Sequence, residues 1–341
     1  MRNNFFSIKV LLVFFYFLFQ SNSVFSKELN FKALEIITYE EGNLIIGKED
    51  AEAKIEGEIE IYADKFTYDR NKEILIAEGN VKTIDLINNI EIKSQKISFN
   101  KTLNKIISFN KTYFLIDKKY EIISEDVNFL INDQIIFSEK ETFFKDNENY
   151  EAQLSTFKYF NKTEIIKGTN IKLLDKENNS YFVSEGMLKL QDYEMLGKDI
   201  QVYLRKDSFG NPENEPKLKG NSINYKNEKT IISKGIFTSC DENDNCPPWV
   251  ITSKKIIHDR KKRQINYKNA WLKIYNIPVI YFPKFFHPDP TVDRKSGFLI
   301  PQFNSSNKLG ASITAPYFNV ISDSADFTFK PRIFSDNEFL I

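Results

Sequence analysis

IYADKFTYDRNKEILIAEGNVKTID, residues 61–85, alternates apolar and polar side chains. Ile61, Ala63, Phe66 and Tyr68 lead into a polar corner at Asp69, Arg70, Asn71 and Lys72. Ile74 and Ile76 then alternate, Gly79 and Asn80 read as a turn, and a further short strand follows from Val81. Alternation at period two marks half-buried strands, and Asn and Gly clusters mark the bends between them. The same order of parts returns. Copies begin at the small residues Ala33, Ala63, Ser94 and Ser124, which are 30, 31 and 30 residues apart. Weaker copies begin near Leu154, Ser184, Ser222 and Ser253. A repeat of about thirty residues holding two or more strands points to stacked rungs, each completed by its neighbours.

Composition fits an exported β protein. Phenylalanine (31) and tyrosine (16) are abundant among 341 residues, and glycine (12) and proline (11) are few. Residues 1–26 read as a secretory signal peptide, with Arg2 and Lys9 flanking the apolar run Val10–Phe19. That run is too short to span a hydrocarbon core of about 30 Å as a helix. No later stretch is long and apolar enough for a membrane helix, so any membrane segment must be β. The formal net charge is zero, with 47 basic and 47 acidic residues, which argues against a nucleic-acid partner. No nucleophile–base pair, carboxylate pair or phosphate-binding glycine loop stands out, so the reading is of a protein that is not an enzyme and needs no cofactor.

Inward-facing rungs form either a packed core or, if the folded sheet stays open at one side, an apolar trough. Phe66, Tyr68, Ile74, Ile76, Ile97, Phe99, Ile107 and Phe109 are the trough candidates by alternation. A trough could hold acyl chains, since each methylene buried is worth about 0.8 kcal/mol. The phrase Ala63-Asp64-Lys65-Phe66-Thr67-Tyr68 followed by Ile76-Ala77-Glu78-Gly79-Asn80-Val81 resembles the OstA-type repeat of lipopolysaccharide (LPS) transport proteins. That resemblance implies an open β-jellyroll whose interior carries the lipid's acyl chains across the periplasm.

The C-terminal stretch is more specific. Ile277-Pro278-Val279-Ile280-Tyr281-Phe282-Pro283 precedes Asp293-Arg294-Lys295-Ser296-Gly297-Phe298-Leu299-Ile300-Pro301 and Thr314-Ala315-Pro316-Tyr317-Phe318-Asn319. This order resembles the junction of jellyroll and barrel in the outer-membrane LPS-assembly proteins of the LptD (OstA/Imp) family. The expected fold is therefore all-β: an open β-jellyroll over 27–285, then the first strands of a transmembrane β-barrel over 286–341. Ser312–Tyr317 and Ala325–Lys330 alternate as barrel strands do. Pro301 and Pro316 stand fifteen residues apart, and proline cannot donate to a strand ladder. The resemblance implies that they weaken a barrel seam so that lipid leaves sideways, as a lateral gate. It further implies LPS as cargo, an LptA-like periplasmic jellyroll as donor, an LptE-like lipoprotein plug, and the outer membrane as destination. About three strands cannot close a barrel, so the expectation is the front of a longer protein. A soluble periplasmic bridge of the same repeat is the alternative.

Cys240 and Cys246 are the only cysteines. Three readings stand: a local Cys240–Cys246 disulfide, the bond to a distal barrel cysteine that the resemblance implies, or a metal site with His258 and His287. The distal cysteine is absent from this chain. Spacings of 6, 12 and 29 match no zinc-finger pattern, so no metal is expected.

Overall fold

A computed structural model describes residues 28–147, 150–175, 179–204, 216–238, 248–288, 292, 295–299, 301–306, 310–322, 324–335 and 339–340. The segment read as a signal peptide and both cysteines lie outside the described residues.

Twenty-two strands between Asn30 and Pro288 form one sheet, antiparallel throughout. The chain crosses back and forth, each crossing paired to the crossings before and after it. Strands of ten to twelve residues such as Ile59–Asp69, Ile74–Asp85 and Ile90–Asn100 each bend midway. In the middle of the sheet the bend breaks the strand, and its halves pair in two separate series. Lys105–Phe109, Asn128–Leu130, Ile135–Ser138 and Thr156–Phe160 line up as one wall. Lys111–Ile116, Tyr120–Glu125, Thr142–Asp146 and Glu151–Leu154 line up as the other. Ile106, Phe129 and Ile136 from the first wall pack into the same core as Phe114, Ile122 and Phe144 from the second. The sheet is folded over on its apolar face, the jellyroll the repeat implies.

The bend explains the thirty-residue period. Asp50, Asn80 and Asn110 stand thirty residues apart in the left-handed region (φ 49, 45 and 58), and Asn170 (φ 48) repeats it sixty residues on. Asn and Asp enter this region more readily than other side chains. The small repeat residue sits on the adjoining strand and satisfies carbonyls released by the bend. Ser94 Oγ donates to the carbonyls of Lys96 (3.2 Å) and Phe109 (3.3 Å). Ser253 Oγ does the same for Lys255 (2.9 Å) and Lys268 (2.8 Å). Gly79 and Asn80 are thus not a turn, as their sequence suggests. Ile74–Asp85 is one continuous strand, and its pairing register shifts at these residues. Gly79 has φ 79, and a Cβ there would collide with the Asp64 carboxylate, which accepts a hydrogen bond from Asn80 Nδ2 at 2.9 Å.

Beyond Pro288 the pairing pattern changes. A three-stranded sheet holds Gly297–Phe298, Tyr317–Ser322 and Ala325–Phe329. A four-stranded sheet holds Gln302–Ser306, Gly310–Thr314, Arg332–Phe334 and Phe339–Leu340. Here polarity inverts. Ser312 and Thr314 are buried, whereas Phe303, Ile313 and Ile333, which stand side by side across three strands, are exposed. Polar-in, apolar-out alternation is the pattern of strands in a membrane barrel.

Candidate lipid interior and proline-broken strands

Phe66 lies across from Gly47 and Ala77 on its two neighbouring strands. Its ring occupies the space a side chain at Gly47 would need. Large residues opposite small ones let two walls interdigitate at crystal-like density. Phe66, Tyr68, Ile97 and Phe99 all face this interior, at 5% exposure or less. Ile74, Ile76 and Ile107 do not. They are half-buried on the opposite face, and Phe109 beside them is 37% exposed, with Lys96 Nζ 5.9 Å from its ring centre. Leu75 and Ala77 take the inward positions instead, at 0% exposure. The correction is one of phase: Ile74-Leu75-Ile76-Ala77 is apolar on both faces, so alternation alone does not say which set turns in.

The interior residues that alternation missed include Phe114, Phe129, Tyr159, Ile200, Ile232 and Tyr267. They form two packed clusters, one from Ile45 to Leu190 and one from Tyr181 to Ala270. Ile171 and Leu188 pack against both, so the apolar interior runs unbroken along the jellyroll. Towards its later rungs a polar cluster enters. Arg260 Nη2 donates to Asp175 Oδ2 (2.8 Å) and to Tyr181 OH (2.9 Å), and Tyr181 OH donates to Asp175 Oδ2 (3.0 Å). Burial opposes ionisation of Asp175, but hydrogen bonds from Asn179 and the Arg260 guanidinium outweigh it and hold the carboxyl below its ordinary range. Tyr181 is raised, chiefly by burial.

The two histidines do not converge. His258 and His287 each lie across from Ile265, on opposite sides of it. Two strand spacings, roughly 10 Å, therefore separate them. His287 lies tilted against Phe237 (5.1 Å between ring centres), and its Nε2 lies 2.8 Å from Tyr267 OH. Among the described residues no group of three or more His, Cys, Asp or Glu could hold a metal ion.

Three crossings of the C-terminal sheets are interrupted at a proline. Pro301 separates Gly297–Phe298 from Gln302–Ser306, and Pro316 separates Gly310–Thr314 from Tyr317–Ser322. Pro331, fifteen residues after Pro316, separates Ala325–Phe329 from Arg332–Phe334. The sequence reading missed this third break, although the repeated spacing was its signal. Across the breaks single backbone bonds remain: Leu299 N–H to Pro316 O (2.8 Å) and Ala315 N–H to Pro331 O (3.1 Å). A fold line of missing donors thus crosses three consecutive strands.

Residues 265–341 match the family model described as LptD protein. Over 104 residues, 30% of its length, the chain is 37% identical to the LPS-assembly protein LptD of Yersinia pestis bv. Antiqua (strain Antiqua). It is 34% identical over 123 residues, 35% of its length, to that of Francisella tularensis subsp. novicida. These stretches cover 13% and 14% of the two relatives, so the chain spans only a small share of their length. Among solved structures it is similar to LptH, the LptA-homologous periplasmic component of the lipopolysaccharide transport device of Pseudomonas aeruginosa. That likeness has 12% identity and a TM-score of 0.30, over 32% of this chain and 80% of that one. The matched residues 265–341 hold the last jellyroll strands and the proline-broken crossings.

Proposed function

We propose that this chain is the front part of an outer-membrane protein that receives LPS in the periplasm and assembles it at the cell surface. Residues 1–26 direct export, 27–285 form the periplasmic jellyroll, and 286–341 begin the barrel. The observation that carries the reading is the apolar interior that runs unbroken from Ile45 to Ala270 and leads to strands of inverted polarity. Acyl chains travel between the two walls, in contact with Phe66, Tyr68, Ile97 and Phe99. Those walls are packed, so lipid passes only when they part along the side where the sheet is not closed.

The first crossing supplies the receiving edge. Among the described residues Asn30–Lys32 and Glu35–Tyr39 pair only with Leu44–Ile55, which offers their other side for strand addition by an LptA-like donor. Pro301 and Pro316 weaken the barrel seam for lateral release, and an LptE-like lipoprotein plugs the barrel. The test is photo-crosslinking in cells. A crosslinker at Ile97 or Phe99 should capture LPS, and one at Ile76 or Phe109 should not. Equal capture from both faces, or none from the inward one, overturns the carrier reading.

A further inference from the structure

The outer face of the later rungs carries charge differently from the earlier ones. In the first rungs lysines also stand opposite each other, Lys48 across from Lys65 and Lys82 across from Lys93, but Lys48 is paired with Glu35 (3.1 Å) and both Lys82 (3.3 Å) and Lys93 (2.9 Å) with Glu91. From Thr156 onward several opposed lysines have no such carboxylate. Lys158 lies directly across from Lys167, and Lys255 directly across from Lys268, which in turn faces Lys284. Like charges directly opposite on neighbouring strands destabilise a sheet. None of these five has a carboxylate partner among the described residues; Lys158 and Lys167 each lie 5.2 Å from the centre of the Phe160 ring.

These rows border a concavity of about 1380 Å³ on the outer face, lined by seven lysines and two glutamates. One of those glutamates, Glu185, is already neutralised by Lys198 at 2.7 Å. The floor between the lysines is apolar, with Met187 directly across from Leu196. Leu196 is 47% exposed. In a chain of zero net charge, this groove concentrates uncompensated positive charge around exposed apolar surface.

We propose that the groove binds the phosphorylated headgroup of the carried lipid, on the outside of the same wall whose inner face holds the acyl chains. The occupant is an anionic amphiphile: its phosphates take the place of the missing carboxylates between opposed lysines, and its apolar portion covers Met187 and Leu196. The inference rests on the lipid-carrier reading and adds a second point of contact, one that senses phosphate rather than acyl chain.

The test is binding of the 341-residue chain to diphosphoryl lipid A and to the same lipid with its phosphates removed. Lys255→Glu with Lys268→Glu should weaken binding of the phosphorylated lipid at least tenfold and flatten its salt dependence, without changing the dephosphorylated one. Lys255→Gln with Lys268→Gln, which removes the repulsion, should raise the melting temperature yet still weaken binding, the mark of a site kept at a cost in stability. Equal affinity in variant and parent, or equal loss on both lipids, overturns the groove but leaves the carrier reading standing. Binding of inorganic pyrophosphate as tight as that of the phosphorylated lipid assigns the site to free anions and overturns the lipid assignment. Failure of the parent chain to bind either lipid removes the carrier reading and the groove together.

Discussion

Phe99→Ala is the substitution that interrogates the interior most directly. The ring is fully buried, between Leu75 on one neighbouring strand and Ile106 on the other, themselves at 0% and 1% exposure. Truncating a buried Phe removes its transfer free energy and leaves a cavity that packed walls fill poorly, about 3–5 kcal/mol. Phe109→Ala, ten residues on but on the outer face, loses a contact with Lys96 worth about 0.5–1 kcal/mol. A stacked-rung sheet opens locally as well as globally, so a single melting temperature would blur the contrast. Hydrogen exchange read strand by strand resolves it. In Phe99→Ala the amides of Ile90–Asn100 and of its two neighbours should exchange faster by about two to three and a half powers of ten, at 1.4 kcal/mol per tenfold. In Phe109→Ala the change should stay under tenfold. Equal acceleration in the two variants would falsify the assignment of faces and the course of the interior with it.

The Asp175–Arg260 pair makes stability depend on acid. A carboxyl held below its ordinary value stabilises the fold fully above the unfolded value near 3.9, and the contribution disappears as pH falls through the lower folded value. Asp175→Asn should therefore cost about 3 kcal/mol near neutrality, since it breaks a buried pair, and the gap to the parent should shrink below about pH 4. A gap that stays constant between pH 6 and pH 3 speaks against the ion pair. At the fold line, Pro331→Ala restores one backbone donor, as does Pro316→Ala. Both should extend strand pairing, seen as slower exchange of the amides beside them, and Pro301→Ala with Pro316→Ala should lower surface LPS. Surface LPS unchanged in that double variant, expressed in the whole protein, counts against a gate at these prolines.

The period was legible because the bend makes a chemical demand. A strand that folds over needs a small side chain on one crossing and a residue tolerant of positive φ on the next, and Ser94 with Asn110 or Ser253 with Asn269 meets it. Among the weaker copies Ser184 meets it too, its Oγ donating to the Lys198 carbonyl (3.1 Å) beside Asp199 (φ 49). Facing was less legible. Where isoleucine fills both faces, as at Ile74 and Ile76, the sequence carries the period without its phase, and only the register to Phe99 and Tyr68 fixes it. The Arg260–Asp175 contact joins residues 85 apart, beyond the reach of any local pattern. The opposed lysines were hidden likewise, because a cross-strand row becomes visible only once five strands are in register.

The back-and-forth order of the crossings has a consequence for how the molecule is made. Nearly every strand pairs with those beside it in sequence, so the relative contact order is low for a β protein of this length, and little loop closure must precede each new contact. A chain threaded through a membrane from its N-terminus can add crossings one at a time, each templated by the last. Residues such as Asn161, whose Nδ2 reaches back 73 positions to the Asn88 carbonyl, tighten rungs already laid down rather than nucleate them. Vectorial growth of this kind completes the apolar interior before the proline-broken strands emerge to meet it.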